Sequence, residues 1–167
     1  EALVYWNGSF ISSPDGFNRP LISVFDRAFL YGDSLYEVAR TYNKKPFLMN
    51  DHLDRLENSA LLSSMHLGQT RSKITELVNK GLEMFFDQMR SQEMGPPQGP
   101  SPEAYVRIIV SRGRGKIGFH EKNIEGETEL CLIIQPFLPL DDAAFEKGSS
   151  LGIAKRPRNP SISLDPA

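Results

Sequence analysis

The hydrophobic pattern of this chain changes its period twice, and that order limits the folds the chain can adopt. Strand-like segments come first, two segments with helical spacing follow, and further strand-like segments come after them. Alternation at every second residue is typical of a strand with one buried face, whereas spacings of three and four residues are typical of an amphipathic helix. The order predicts an α+β domain in which the helices pack on one side of a sheet.

Five regions have the composition and spacing of strands. Asn7-Gly8, within the first region, predicts a β-hairpin because both residues tolerate positive φ angles. The last region is almost continuously apolar, which predicts a strand at the centre of the sheet. The strand regions are 3–11, 34–42, 47–49, 104–111 and 129–135.

Two helices are predicted between these strands. Asn50 is expected to cap the first, whose apolar stripe includes Leu53 and Leu56. The second is expected over 72–89, where the apolar residues form one continuous face. Gly81, a weak helix former, lies inside this segment and slightly weakens the prediction.

Proline marks the remaining boundaries. The region 95–102 contains four prolines and predicts an exposed loop, since proline disrupts both helices and central strands. Two further prolines, Pro136 and Pro139, lie inside 135–142, which we interpret as a linker. We therefore expect a small N-terminal α+β domain over 1–134 and the start of a larger domain over 143–167, with a first strand at 150–155.

Composition and charge exclude several classes of function. The formal net charge of −2 gives no electrostatic reason to expect nucleic acid or an anionic membrane as a partner. No apolar run approaches the roughly 18 residues of a transmembrane helix, and the start shows no signal-peptide pattern, so a cytoplasmic location is expected. Cys131 is the only cysteine, and the three histidines show no metal-ligand spacing, so no metal site is expected.

Two arginines and two tyrosines share faces of predicted strands. Arg40 lies on the same face as Tyr36, and Arg107 on the same face as Tyr105. Guanidinium groups beside aromatic rings suit recognition of an anionic, partly apolar small molecule. Spacing alone favours the alternative, an exposed face whose arginines form surface ion pairs of little energetic weight.

The segment 112–118 is basic and rich in glycine. Such a segment can cradle phosphate or bind nucleic acid. It has neither P-loop nor Rossmann spacing, so we interpret it as a flexible connection after a strand.

Four sequence blocks occur in a fixed order: Trp6-Asn7-Gly8, DRAFLYGDSLYEVAR at 26–40, HLDRLENSA at 52–60 and VRIIVSRG at 106–113. Together they resemble the ordered signature of the class IV (fold type IV) aminotransferases. That family includes branched-chain aminotransferases, D-amino acid aminotransferases, (R)-amine transaminases and aminodeoxychorismate lyases. Each block alone is weak, whereas the combination over nearly the whole chain is specific.

The resemblance implies pyridoxal 5'-phosphate as cofactor, amino acids and 2-oxo acids as substrates, and a homodimer. Arg55 matches the arginine that binds the cofactor phosphate, and Ile117 and Phe119 match a loop that reaches the neighbouring subunit's site. The resemblance also places five residues in the substrate pocket, namely Tyr31, Tyr36, Arg40, Tyr105 and Arg107.

The same resemblance places the Schiff-base lysine of the family in its large domain, just after the region that matches 159–167. No catalytic residue is therefore expected among the 167 residues. We expect the chain to be the N-terminal part of a longer enzyme, or a sequence cut at a modified residue. The alternative outside enzymology is a non-catalytic domain that only folds or self-associates.

Two pairs of residues indicate which subgroup of the family this chain resembles. Tyr105 with Arg107 resembles the branched-chain type, whereas Tyr36 with Val38 resembles the D-amino acid type.

The loop and the segment after the last block add two further signals. Ile117 and Phe119 stand where the D-amino acid type has an Arg and a His that hold the substrate carboxylate, and Ser111-Arg112-Gly113 also occurs in lyases. We expect an aminotransferase of branched-chain-like character. Aminodeoxychorismate lyase and D-amino acid aminotransferase are the alternatives.

Overall fold

The computed structural model describes residues 2–12, 21–92, 102–140, 142–153 and 155. These residues form six strands, four α-helices and one 3-10 turn at Glu121–Asn123. The predicted α+β class is confirmed. In chain order the elements are β1 Leu3–Trp6, β2 Ser9–Ser12, α1 Arg27–Tyr31, β3 Ser34–Tyr42, β4 Lys45–Pro46, α2 Met49–Leu62, α3 Arg71–Gln92, β5 Ala104–Ser111, β6 Glu129–Pro136 and α4 Asp142–Lys147.

The six strands form one antiparallel sheet in the order β2-β1-β6-β5-β3-β4. The central position expected for the apolar region 129–135 is confirmed, because β6 pairs with β1 on one side and β5 on the other. The hairpin at Asn7-Gly8 is also confirmed, with positive φ at both residues.

The helices α2 and α3 cover one face of the sheet and build the core with it, as the pattern predicted. Leu53 and Leu56 of α2 and Phe85 of α3 are fully buried. The sheet contributes to this core the side chains of Val106, Ile108, Val110, Leu132 and Ile134. The second face of the sheet is therefore left to the residues that alternate with these.

Two predictions around the start of α2 are wrong. Residues 47–48 form a turn and Met49 already belongs to the helix, so the strand expected at 47–49 is replaced by β4 just before it. The capping residue is Leu48, in the left-handed region with φ 48° and ψ 38°, instead of Asn50. The cause is the tight turn at Asn43-Lys44, where both φ angles are positive. Because of this turn, Lys45 and Pro46 already pair with β3, before the apolar residues 47–49 are reached.

The chain divides into two compact units after Phe137, inside the predicted linker 135–142, whose first two residues end β6. The second unit contains α4, and no strand is formed at 150–153 or at Lys155, so the strand expected there is not observed. The assignment of 143–167 to a larger domain stays a prediction. Most of the proline loop at 95–102 lies outside the described residues.

Candidate functional site

The pairing of β3 with β5 places four predicted site residues on one face. Val38 lies opposite Arg107, and Arg40 lies opposite Tyr105. Tyr36 is two residues from Val38 and shares its face. We call the surface formed by Tyr36, Val38, Arg40, Tyr105 and Arg107 the open face, because α2 and α3 pack against the other side of the sheet.

Arg107 stacks on an aromatic ring of the open face. Its guanidinium carbon lies 4.4 Å from the centroid of the Tyr36 ring, and its Nε is buried without a hydrogen-bond partner. Within the described residues, no carboxylate forms an ion pair with it. A buried donor on a cation costs free energy unless an acceptor reaches it, so this arginine is suited to an anionic ligand.

Among the described residues, Arg40 also packs against rings and forms no ion pair with a carboxylate. Its guanidinium carbon lies 4.1 Å from the ring centroid of Tyr42 and 3.8 Å from that of Phe137. Its Nε donates a long hydrogen bond, 3.4 Å, to the carbonyl of Thr41. Stacking orients the guanidinium while leaving its charge unneutralised.

Tyr31 and Phe119 meet at a second place, where α1 contacts the loop after β5, and Ile117 belongs to the same loop. The backbone N–H of Gly118 donates to the hydroxyl of Tyr31 at 2.7 Å, and Arg27 Nη1 donates to the carbonyl of Gly118 at 3.1 Å. The rings of Tyr31 and Phe119 lie 4.8 Å apart. Ile117 and Phe119 remain 73% and 83% exposed, so the loop presents two apolar side chains on a fixed backbone.

Asp33 joins the start of β3 to two arginines. It accepts from Arg27 Nε at 3.0 Å and from Arg112 Nε at 2.9 Å. Arg112 also donates to the carbonyls of Ser63 and Ser64 at the end of α2, at 2.8 and 3.0 Å. These guanidinium groups are therefore occupied by structural contacts, although they line a cavity of about 860 Å³.

The segment 112–118 is held in place, contrary to the flexible connection that we expected. The carbonyl of Gly113 accepts from the Arg27 backbone N–H at 2.9 Å, and the N–H of Gly115 donates to the carbonyl of Phe25 at 3.2 Å. Gly113 has φ 91°, and a Cβ there would lie 2.1 Å from the carbonyl oxygen of Glu127. Glycine at this position permits close backbone approach.

Arg55 takes part in a cluster that the sequence did not indicate. Its Nε lies 2.6 Å from Oε1 of Glu37 and its Nη2 lies 2.5 Å from Oε2. The Nδ1 atom of His52 lies 2.9 Å from the same Oε2. Glu37 alternates with the open-face residues along β3 and points toward α2, which brings the two motifs at 26–40 and 52–60 into contact.

The electrostatics of this cluster favour the ionised form of Glu37. Burial raises the pKa of Glu37, but the hydrogen bonds and charges of Arg55 and His52 outweigh that effect and hold the pKa below its ordinary value of 4.5. The hydrogen bond to Glu37 in turn raises the pKa of Arg55. The carboxylate is buried, whereas the Arg55 side chain is 64% exposed.

The geometry of Arg55 fits the phosphate of the implied cofactor. Glu37 occupies Nε and one hydrogen of Nη2, so the two hydrogens of Nη1 and the second of Nη2 remain at the exposed end. That end is a fork suited to two oxygens of a phosphate. No group of histidine, cysteine or acidic side chains that could hold a metal is found within the described residues.

Cys131 lies opposite Ile109, in the strand beside β5. Burial raises the pKa of its thiol to about 11, so the thiolate that a nucleophile requires is not populated near neutral pH. The cysteine is therefore a packing residue.

Comparisons with known proteins show which family and which fold this chain resembles. The amino-transferase class IV family matches residues 34–166. A candidate branched-chain-amino-acid aminotransferase of Methanocaldococcus jannaschii is 30% identical over 137 residues, covering 82% of this chain and 41% of the relative. The aminodeoxychorismate lyase of Bacillus subtilis is 29% identical over 133 residues, covering 80% and 40%. The chain thus spans about two fifths of the length of these relatives.

Solved structures share the fold. A candidate branched-chain amino acid aminotransferase from Thermotoga maritima aligns with a TM-score of 0.64 at 21% identity, over 99% of this chain and 47% of the other. A hypothetical aminotransferase from Mycobacterium tuberculosis in its pyridoxal-phosphate-bound form aligns with a TM-score of 0.61 at 20% identity, over 81% and 40%.

Proposed function

Because the chain belongs to the class IV aminotransferase family, we propose that the intact protein is a pyridoxal 5'-phosphate-dependent aminotransferase. It moves an amino group between a branched-chain-like amino acid and a 2-oxo acid. The similarity to the Methanocaldococcus jannaschii relative supports this substrate class.

The observation that most directly supports the proposal is that Arg107 is a stacked cation whose buried Nε has no hydrogen-bond acceptor in the described part of the chain. Its guanidinium is oriented by the Tyr36 ring, and its buried Nε has no acceptor in the described residues. A dicarboxylic substrate needs a cation in a dry pocket for its second carboxylate. We assign Arg107 to the side-chain carboxylate of glutamate and of 2-oxoglutarate.

The remaining residues bind and orient ligands. Arg55 holds the cofactor phosphate through its exposed fork. When bound, the cofactor supplies the electron sink for amino-group transfer. Arg40 adds a second cation on the open face. The other assigned pocket residues are hydroxyl donors and apolar side chains, namely Tyr31, Tyr36, Tyr105, Ile117 and Phe119.

Assembly is a second part of the proposal. The Gly118 backbone is fixed by Arg27 and Tyr31, yet Ile117 and Phe119 stay exposed. Exposed apolar side chains on a fixed loop favour an interface. We propose a homodimer in which this loop reaches the partner's site. Sedimentation of the intact protein tests this, and a fully active monomer would contradict it.

Aminodeoxychorismate lyase is the second candidate function, favoured by the Bacillus subtilis relative at nearly equal identity and coverage. The D-amino acid aminotransferase alternative is weaker, because exposed apolar Ile117 and Phe119 replace the expected carboxylate-binding pair. A cytoplasmic location remains a prediction. Within the described residues, no helix combines the length and apolar character needed to cross a membrane.

The deciding experiment is kinetics of the intact protein with three compounds. L-leucine with 2-oxoglutarate, D-alanine with 2-oxoglutarate, and aminodeoxychorismate alone are compared at equal enzyme concentration. We expect turnover of L-leucine to dominate. Turnover of either of the other two without turnover of L-leucine would overturn the substrate assignment.

A further inference from the structure

The tautomer of His52 follows from its partner. Glu37 stays ionised, and an ionised carboxylate only accepts hydrogen bonds. The 2.9 Å contact therefore requires the hydrogen on Nδ1 of His52. The neutral ring then has a lone pair on Nε2, and no hydrogen bond to Nε2 is found within the part of the chain that the structure describes.

The charge of the cluster depends on that free nitrogen. The Glu37 carboxylate offsets the Arg55 guanidinium, so the cluster is neutral when His52 is neutral and carries one positive charge when His52 is protonated. A phosphate monoester above its second pKa, near 6, carries two negative charges. A neutral cluster attracts this dianion weakly, whereas a cationic one attracts it more strongly.

Other charged groups near His52 are exposed or already paired. Asp51 precedes it in the first turn of α2 and is exposed. Arg71 of α3 is occupied by Asp54, Glu57 and the carbonyl of Asn50. On β5, the residue opposite Glu37 is the apolar Ile108.

We propose that His52 is a second cation of the phosphate site, which takes up a proton from solvent at Nε2 when a phosphate group binds beside Arg55. The two side chains are adjacent, with Arg55 Nη2 and His52 Nδ1 3.4 Å apart. Glu37 holds both by one carboxylate, so the charge added to His52 arises next to the fork of Arg55. This inference rests on the proposed assignment of Arg55 to the cofactor phosphate.

The test uses pyridoxine 5'-phosphate, an alcohol that cannot condense with a lysine. Isothermal titration calorimetry of the intact protein in two buffers of different ionisation enthalpy counts the protons taken up. The variant His52→Asn keeps an N–H that can reach Glu37 but cannot become cationic. We expect proton uptake to fall by up to one proton in the variant. Its affinity should be about tenfold weaker at pH 6.5, as for one lost charge-assisted contact, and equal to the unmutated protein at pH 9.

Three controls separate the causes. Pyridoxine without phosphate should show no difference between the proteins, and His120→Asn should match the unmutated protein. Arg55→Ala should lose most of the preference for the phosphorylated probe. If Arg55→Ala binds normally, the phosphate assignment itself fails. If Arg55→Ala is impaired but His52→Asn shows the proton uptake and pH profile of the unmutated protein, the role of His52 is refuted and the phosphate assignment of Arg55 stands.

A measurement on the unmutated protein tests the proposal without depending on whether the variant folds. Nuclear magnetic resonance of ring-labelled histidine follows the protonation of His52 with and without pyridoxine 5'-phosphate. At one fixed pH near 7, we expect the probe to move the Nε2 resonance of His52 toward that of a protonated nitrogen. An unchanged resonance would overturn the proposal even if the variant failed to fold.

Discussion

The guanidinium carbon of Arg107 lies 4.4 Å from the centroid of the Tyr36 ring, across the β3–β5 pairing. The ring orients the cation through its π-face without neutralising it, since the ring carries no charge. The open face therefore keeps a positive charge at a defined place, which is what selective binding of a carboxylate requires.

Arg107→Ala should impair one substrate class selectively. Losing a charge-assisted contact of about 1.5–3 kcal/mol corresponds to roughly a 10- to 100-fold increase in KM for glutamate and 2-oxoglutarate. KM for leucine should change far less, because its side chain has no carboxylate. Steady-state kinetics in which each substrate is varied in turn measures these KM values.

Tyr36→Phe is the matched control for Arg107→Ala, because it keeps the stacked ring and removes only the hydroxyl. It should preserve the preference for glutamate. Equal effects of Arg107→Ala on glutamate and leucine would instead indicate a general structural role for the arginine.

Arg55→Ala should weaken cofactor binding by about 1.5–3 kcal/mol, the usual loss for a charge-assisted contact to an ionised group. Equilibrium titration with pyridoxal 5'-phosphate measures the loss, and pyridoxal without phosphate should bind both proteins alike. Arg71→Ala removes another ion-paired arginine from the adjacent helix and should leave cofactor affinity unchanged. Unchanged affinity in Arg55→Ala would remove the phosphate assignment.

Glu37 should make the free energy of unfolding depend on pH in the acidic range. Its folded pKa is lowered from 4.5, so its contribution is fully present above about pH 4.5 and is lost as the pH falls through the lower folded value. Urea unfolding between pH 7 and pH 3 should therefore show a decline below pH 4.5 that is smaller in Glu37→Gln.

The control for the pH experiment is Glu76→Gln, since Glu76 pairs with Lys73 on the exposed face of α3. Surface ion pairs of this kind contribute little, so its profile should follow that of the unmutated protein. If Glu37→Gln showed the same acid slope as the unmutated protein, the ion pair with Arg55 and His52 would not persist in solution.

Sequence periodicity predicted the elements with strong local patterns. β3, β5 and β6 alternate or are continuously apolar, and α3 was expected over 72–89 and spans Arg71–Gln92. Alternation also assigned Tyr36, Arg40, Tyr105 and Arg107 to faces, and the pairing of β3 with β5 brings those faces together.

Contacts between distant residues could not be predicted in this way. Glu37 and Arg55 are 18 residues apart and belong to two different motifs, and Arg112 binds Asp33 79 residues away. Periodicity places a side chain on a face without identifying its partner on another element. Leu48 as the cap of α2 was missed because a leucine with positive φ contradicts local preference.

Gly81→Ala should destabilise the protein although alanine is the better helix former by about 1 kcal/mol. A Cβ at this position of α3 would lie 2.6 Å from Ile134 Cδ1 and 2.9 Å from Phe10 Cε1, so these two side chains or the helix must shift. Overpacking of this kind costs about 1–3 kcal/mol, which outweighs the helix preference. Urea unfolding measures the change, and Lys80→Ala on the exposed side serves as control. Because valine has no Cδ1, adding Ile134→Val should recover part of the loss in Gly81→Ala, whereas Ile134→Val alone destabilises. Additive effects of the two substitutions would show that the close approach of α3 to β6 is not what requires glycine.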